Sequence, residues 1–348
     1  MKKLLKILGF FLLAIVIFVG AILLYLTVRE YRPAEQESIA VESGEYAATF
    51  SGNTVSILTF NTGYAELGDN ADFFMDGGKS VQSTDETRMN ENLSEIAALR
   101  QKADFTLLQE VDQNSKRSYH VDQTAYYEEA GFSGAFALNF SCPYVPYPLP
   151  TIGQVNSGVL TLSGFTLGDA ERISLPCPFS WPVSIANLKR CLLITRVPIQ
   201  GSDKELVLVN LHLEAYDDGA GKAAQTEKLL SVLQEEYKKG NYVIAGGDFN
   251  QTFPGGLDAY PIKDASLWTP GVLEESSLPD GWQFACDSSN PTCRLLNQPY
   301  DASSEQTQYY VIDGFILSPN VEKISVETLN LEFHASDHNP VYLEATLK

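Results

Sequence analysis

Residues 241–250 read NYVIAGGDFN. The run Tyr242–Ala245 has the apolar, β-branched composition of a buried strand, and Gly246 and Gly247 close it. An acid, Asp248, and an amide, Asn250, follow at once. Alone, this is a turn after a strand. The arrangement recurs, however. Asn61 follows SILTF at 56–60, and Glu110 follows FTLLQ at 105–109. His212 lies within LVLVNLHL at 206–213, and Asp313 within YYVIDGFIL at 309–317. Asp337 and His338 fall in the short link before the last strand-like run. Strand ends in one sheet core converge in space, which would gather these carboxylates, amides and imidazoles into one site. Such an oxygen-rich set suits a hard divalent cation, Mg²⁺ above all, with Mn²⁺ the alternative.

Around these points the chain alternates strand-like and helical runs. Strands are expected at 54–60, 104–111, 156–162, 190–198, 205–213, from 241, and near 308–317, 322–332 and 340–347. Met89, Leu93, Ile96 and Ala97 form a helical stripe within 87–102, and Leu229, Leu230, Val232, Leu233 and Tyr237 form another within 220–238. Residues 61–86 are loop-like. Residues 142–153, CPYVPYPLPTIG, read as a stiff loop. The stretch 251–305 is too long for a plain loop and should contain short elements. Many strands with two strong helices predict an α/β chain of packed sheets flanked by helices.

The 348 residues carry 24 basic and 44 acidic side chains, a net charge of −20, and are 44% apolar. That excludes a disordered or fibrous chain and argues against bulk binding of nucleic acid, which needs Lys and Arg. Between Lys6 and Arg29 lie 22 uncharged residues, about 33 Å of helix and enough to cross a bilayer core. Lys2, Lys3 and Lys6 precede them and Arg29 and Arg32 follow, a bias that puts the N-terminus in the cytoplasm and the body outside. Residues 1–28 are therefore expected as a single-pass signal anchor, 29–48 as a polar linker and 49–348 as one domain. Beyond residue 33 the chain has 19 bases and 43 acids, −24, so the body should stand off an anionic membrane on its linker.

Five cysteines cannot all pair. Cys286 and Cys293 bracket CDSSNPTC and could close a small loop; Cys191, in KRCLLITRV, reads as a buried free thiol. No C-x-x-C pair argues for structural zinc.

TFN at 59–61, LLQEVD at 107–112, NLHL at 210–213, GGDFN at 246–250, IDGFILS at 312–318 and SDHNPV at 336–341 together resemble the ordered signature of the endonuclease/exonuclease/phosphatase superfamily, the deoxyribonuclease I-like fold. Each motif alone is weak; six in order are specific. The resemblance covers residue 54 to the C-terminus. It implies a four-layer α/β/β/α sandwich and metal-dependent hydrolysis of a phosphate ester by in-line attack of water. It implies Glu110 as the main metal ligand, with Asn61 and Asp337 in support. It implies Asp248 as the group that orients or deprotonates the water, and Asn250 as a phosphate contact. His338 would face the phosphate, held by Asp313, and His212 would bond a phosphoryl oxygen or protonate the leaving group. One departure is Gly164 after Ser163, where relatives often carry Arg.

Arg117 and Tyr119, in SKRSYHVDQ at 115–123, are candidate substrate contacts, since Arg pairs with phosphate as a fork. The ordinary reading of that segment is a surface loop. His120 and His334 match no motif and read as ordinary surface or core residues. The function expected is a membrane-anchored phosphohydrolase, monomeric, acting on a lipid or small phosphate ester. A surface nuclease is the second reading, and an inactive surface-binding protein with the same fold the third.

Overall fold

The apolar runs become strands because their alternate side chains find two faces to fill. In the computed structural model, which describes residues 2–45, 47–129, 131–217 and 219–348, these runs build two seven-stranded sheets. In chain order the strands are β1 (Gln36–Ile39), β2 (Val41–Glu42), β3 (Thr54–Asn61), β4 (Phe105–Asp112) and β5 (Ser133–Val145). There follow β6 (Gly153–Ser163), β7 (Ala170–Ser174), β8 (Cys191–Pro198), β9 (Glu205–His212) and β10 (Tyr242–Asp248). The last are β11 (Gln283–Ala285), β12 (Asp313–Leu317), β13 (Val321–Thr328) and β14 (Val341–Leu347). The helices are α1 (Lys2–Val28), α2 (Glu86–Leu99), α3 (Gln123–Glu128) and α4 (Ala220–Lys238).

One sheet runs β13–β14–β3–β4–β6–β5–β2 and the other β1–β7–β8–β9–β10–β12–β11. Val55, Ile57 and Leu107 from the first meet Leu208, Ile244 and Phe315 from the second in a dry layer between them. Outside, α2 and α3 cover the first sheet through Met89, Leu93, Ile96 and Tyr127, and α4 covers the second through Leu229, Val232 and Leu233. This is the expected α/β/β/α sandwich, and both helical stripes face inward as their spacing requires.

Two parallel pairs lie at the centre, β3 with β4 and β9 with β10. Parallel neighbours end on the same side, so their C-terminal residues emerge together. The glycines before Asp248 make the close approach workable. A Cβ on Gly247, whose φ is +155°, would collide with the Leu211 carbonyl of β9.

Two expectations give way. Residues 29–48 are not a free linker: β1 pairs with β7 and β2 with β5, one strand on an edge of each sheet. They escape a periodicity reading because each has four residues or fewer. The last turns of α1 also touch the body. Residues 2–21 of that helix are exposed, but Leu26 is buried against Phe140, Val145 and Ile185. All five cysteines are free. Cys286 packs at the margin of the α4-side core and Cys293 in a separate cluster with Leu295, Tyr310 and Ile312, so the proposed loop does not close. Cys191 is a buried free thiol, as expected. The stretch 251–305 holds β11, a short helix at Gly256–Ala259 and three two-residue strands, Gln251–Thr252, Gly271–Val272 and Cys293–Arg294.

Glu66 is a buried acid outside the candidate site. Both carboxyl oxygens of Glu66 are sealed from solvent and without a hydrogen-bond partner. Burial pushes its pKa up to about 8, and the charge of Arg117 offsets this only in part. An acid whose folded pKa is raised holds its proton better folded than unfolded. Its contribution to stability therefore falls as pH rises from about 4.5 to about 8. Glu66→Gln should remove this dependence. Thermal unfolding at pH 5 and pH 8 should show the variant gaining on the native protein by about 3 kcal/mol at the higher pH. An equal difference at both pH values would refute the raised pKa.

Candidate active site

The site is built where the strand ends meet. Asp248 lies opposite His212 in the parallel ladder with β9, and opposite Asp313 in the antiparallel ladder with β12. Register alone therefore places three of the predicted residues side by side. Asn61 ends β3 and reaches across the sandwich, its Nδ2 donating to Asp248 Oδ2 at 2.9 Å. Its Oδ1 accepts from the Gly63 amide at 3.1 Å. Gly63 has φ +53°, and a Cβ there would crowd Asp337.

Glu110 enters by a different device. The β4–β6 register shifts between Leu108 and Val111, and Glu110 has φ +56°. A left-handed glutamate at a bulge is costly, and bulges of this kind re-aim a side chain toward a site. Its carboxylate lies 3.9 Å from His212 Nδ1, and no hydrogen bond to it is found among the described residues. Asn250 is also left-handed, at φ +50°; its amide N–H donates to Asp248 Oδ1 at 2.8 Å and its Nδ2 to the Leu213 carbonyl at 2.8 Å.

His338 Nδ1 sits 2.8 Å from Asp313 Oδ2, and its Nε2 faces Asp248 at 3.8 Å and Asp337 at 3.9 Å. Burial pulls this imidazole toward the neutral form, but the Asp313 carboxylate, with Asp337 behind it, holds its pKa well above the ordinary value. His212 is the opposite case. Burial, then the positive charges of Arg190 and His338, keeps it well below the usual imidazole range, so it is neutral. Two imidazoles in one site thus hold different charges.

The acids crowd one another. Burial and then Asp337 push Glu110 up to about 8; burial and then Asp313 push Asp248 up to about 7; Asp337 is also raised, by burial first. Carboxylates this reluctant to ionise together want a nearby cation. The unpartnered Glu110 carboxylate and the buried, unpartnered Nδ1 of His212 and Oδ1 of Asp313 mark where the protein leaves donors unspent. Ligand atoms of Asp248, Asp313 and His338 lie within 4.8 Å of one another, as do those of Cys293, Asp337 and His338. The donor set fits a divalent metal, with Glu110, Asp337 and the remaining lone pair of Asn61 as the oxygens to hold it.

All eight predicted motif residues, from Asn61 to His338, come together. Arg117 and Tyr119 do not join them as free contacts. The Arg117 fork is closed by Asp112, with two bonds of 3.0 Å, and its guanidinium lies 3.2 Å from the centre of the Tyr64 ring. Tyr119 turns away and donates to the Thr84 carbonyl at 2.7 Å. His120 and His334 are surface residues, bonded to Asn114 and Glu95.

Several contributors escape a sequence reading. Gln109 donates to Asn210 at 2.8 Å, and Asn210 donates to the carbonyls of Leu108 and Leu160. This buried amide pair bolts the two sheets together directly beneath the acids. Both residues sit inside quoted motifs, LLQEVD and NLHL, and that was the available signal. Arg190 pairs with Glu214 at 3.2 Å and donates to the His212 carbonyl at 3.2 Å. Tyr216 donates to Asp76 at 2.9 Å, joining two distant loops at the rim. Nothing in the sequence pairs those two.

Residues 58–338 match the model of the endonuclease/exonuclease/phosphatase family. No curated protein matches the chain. Among solved structures, an endonuclease/exonuclease/phosphatase from Beutenbergia cavernae aligns at TM-score 0.57 and 16% identity, covering 85% of this chain and 72% of that one. The human Nocturnin catalytic domain with bound sulfate aligns at 0.53 and 16%, over 89% and 97%. ANGEL2, described as a 2',3'-cyclic phosphatase and bound to adenosine-2',3'-vanadate, aligns at 0.54 and 14%, over 89% and 98%.

Proposed function

The chain belongs to the endonuclease/exonuclease/phosphatase family, whose members hydrolyse phosphoesters, and from that premise we propose that it is a membrane-anchored, Mg²⁺-dependent hydrolase of a lipid or small-molecule phosphate ester. One observation carries the reading. An unpartnered Glu110 stands beside Asp337 and the Asn61–Asp248–His338–Asp313 chain, at the shared end of two parallel strand pairs.

When bound, a divalent cation neutralises the phosphoryl and leaving oxygens. Asp248 holds the attacking water and takes its proton at Oδ2, the oxygen already fixed by Asn61. His338, kept positive by Asp313, attracts the phosphoryl group. His212, being neutral, serves as a hydrogen-bond donor to a phosphoryl oxygen rather than as an acid. Asn250, fixed by its backbone bond to Asp248, lines the phosphate side.

The anchor is α1, with Lys2, Lys3 and Lys6 on the cytoplasmic side and the catalytic body outside. A charge of −24 beyond residue 33 disfavours duplex DNA as the substrate. The test is the full chain in phosphatidylcholine nanodiscs with Mg²⁺, given bis-p-nitrophenyl phosphate, p-nitrophenyl phosphate, sphingomyelin and plasmid in parallel. Turnover of a small ester or the lipid, with the plasmid intact, is expected. Plasmid nicking as the dominant activity would replace this reading with a surface nuclease.

A further inference from the structure

The last turns of α1 are seated in protein. Ile22, Leu23 and Leu26 pack on the base of the β5–β6 hairpin and on the turn at Val183–Ala186. Beyond this seat both segments carry bare apolar side chains. Leu149 is 88% exposed, Tyr147 69%, Trp181 58% and Val183 57%. Outside α1 these are the four most exposed large hydrophobic residues among those described. Scattered exposed apolar residues need no explanation; a cluster around a helix exit does.

The same two segments contain no charge. Residues 141–157 and 173–188 have no Asp, Glu, Lys or Arg, in a chain with 68 such side chains. They also lie at the catalytic end. The hairpin pairs Val145 with Gly153 beyond the point where Asp112 meets Ser157, so its turn projects past the strand end that presents Glu110. The other segment enters β8, where Leu192 lies opposite Leu211, and Arg190, just before the strand, donates to the His212 carbonyl. Tyr147 meets Phe74, on the loop that carries Asp76, with ring centres 5.9 Å apart.

Depth agrees. Leu4–Ala21, the wholly exposed part of α1, is apolar but for Lys6, whose long stem carries its charge back toward the near headgroups; it spans about 27 Å of helix, close to the thickness of a hydrocarbon core. Ile22–Val28 then falls at the headgroup level. Trp181 is tied to that level, its Nε1 donating to Thr27 Oγ1 at 3.1 Å. Tryptophan and tyrosine favour that layer because they present an apolar body with a polar tip.

We propose that the catalytic end of the sandwich rests on the bilayer that α1 crosses, with Tyr147, Leu149, Trp181 and Val183 immersed in the headgroup layer. The occupant is a zwitterionic lipid surface, since uncharged loops on an acidic body gain nothing from anionic lipid. This rests on α1 being a membrane anchor.

The experiment uses the full chain in phosphatidylcholine nanodiscs, with and without lipid brominated near the headgroup end of its acyl chains. Bromine is expected to lower the native tryptophan emission, and Trp181→Phe to remove that loss, leaving Trp268 and Trp282 unquenched. Leu149→Asp, which leaves every tryptophan in place, should weaken the quenching as well. The same protein in liposomes is washed with alkaline carbonate. Carbonate-resistant protein with no quenching, or with quenching that persists in Trp181→Phe, overturns the docking and leaves the anchor standing. Release by carbonate overturns both.

Discussion

Asp248→Ala is expected to lower kcat by about 10²–10⁴-fold, the range that general-base catalysis supplies. Asp248 is the residue on which the site's other groups converge. Its Oδ2 receives Asn61 at 2.9 Å and faces His212 at 3.5 Å and His338 at 3.8 Å. Alanine removes the proton acceptor and the register of all three. Stability should move little, because two effects oppose. Leaving the Asn61 amide unpaired costs about 1–3 kcal/mol. Removing an acid that burial first and then Asp313 push up to about 7 relieves a penalty of the opposite sign. Turnover and thermal unfolding on the same preparation decide the matter. A variant that keeps more than a tenth of native turnover would sink the assignment, and one that unfolds would be replaced by Asp248→Asn.

Chelation should have the second large effect. Excess EDTA is expected to bring turnover to the level of the Asp248→Ala blank, and added Mg²⁺ to restore it. An independent readout is the unfolding midpoint. A cation bound only by the folded chain stabilises it by about 2.7 kcal/mol at a hundredfold excess over Kd. Glu110→Gln should lose most of that gain, since among the described residues it removes the site's one carboxylate that accepts no hydrogen bond. Undiminished turnover in EDTA would end the metal reading. A Mg²⁺-induced rise that survives Glu110→Gln would move the ligand role to Asp337.

The predicted residues were legible because they end strands, and strand ends have a readable position. Once YVIAGGD and LVLVNLH are strands, a parallel register puts Asp248 beside His212 without further information. Glu110 is different. Its motif was visible, but its aim depends on a bulge whose register shift has no pattern of period two. β5 escapes a sequence reading because its last five residues, SCPYV, carry a proline and have the composition of a loop. The chemistry of Arg117 alone points to a fork for phosphate. Its partner Asp112 stands five residues earlier on the end of β4, and only the turn between them shows that the fork is already filled. Asp76 and Tyr216 meet across loops far apart in the chain, where no spacing rule applies.

The two short edge strands set an order of assembly. β1 is made almost immediately after α1, yet its partner is β7, with Gln36 opposite Ile173. β2 likewise waits for β5, with Val41 opposite Ala135. Contacts so distant in sequence close late, because the loop between them must be ordered first. The piece of chain nearest α1 is thus among the first made and among the last to be secured. Until β7 exists β1 has no partner, and that edge of the second sheet stays open.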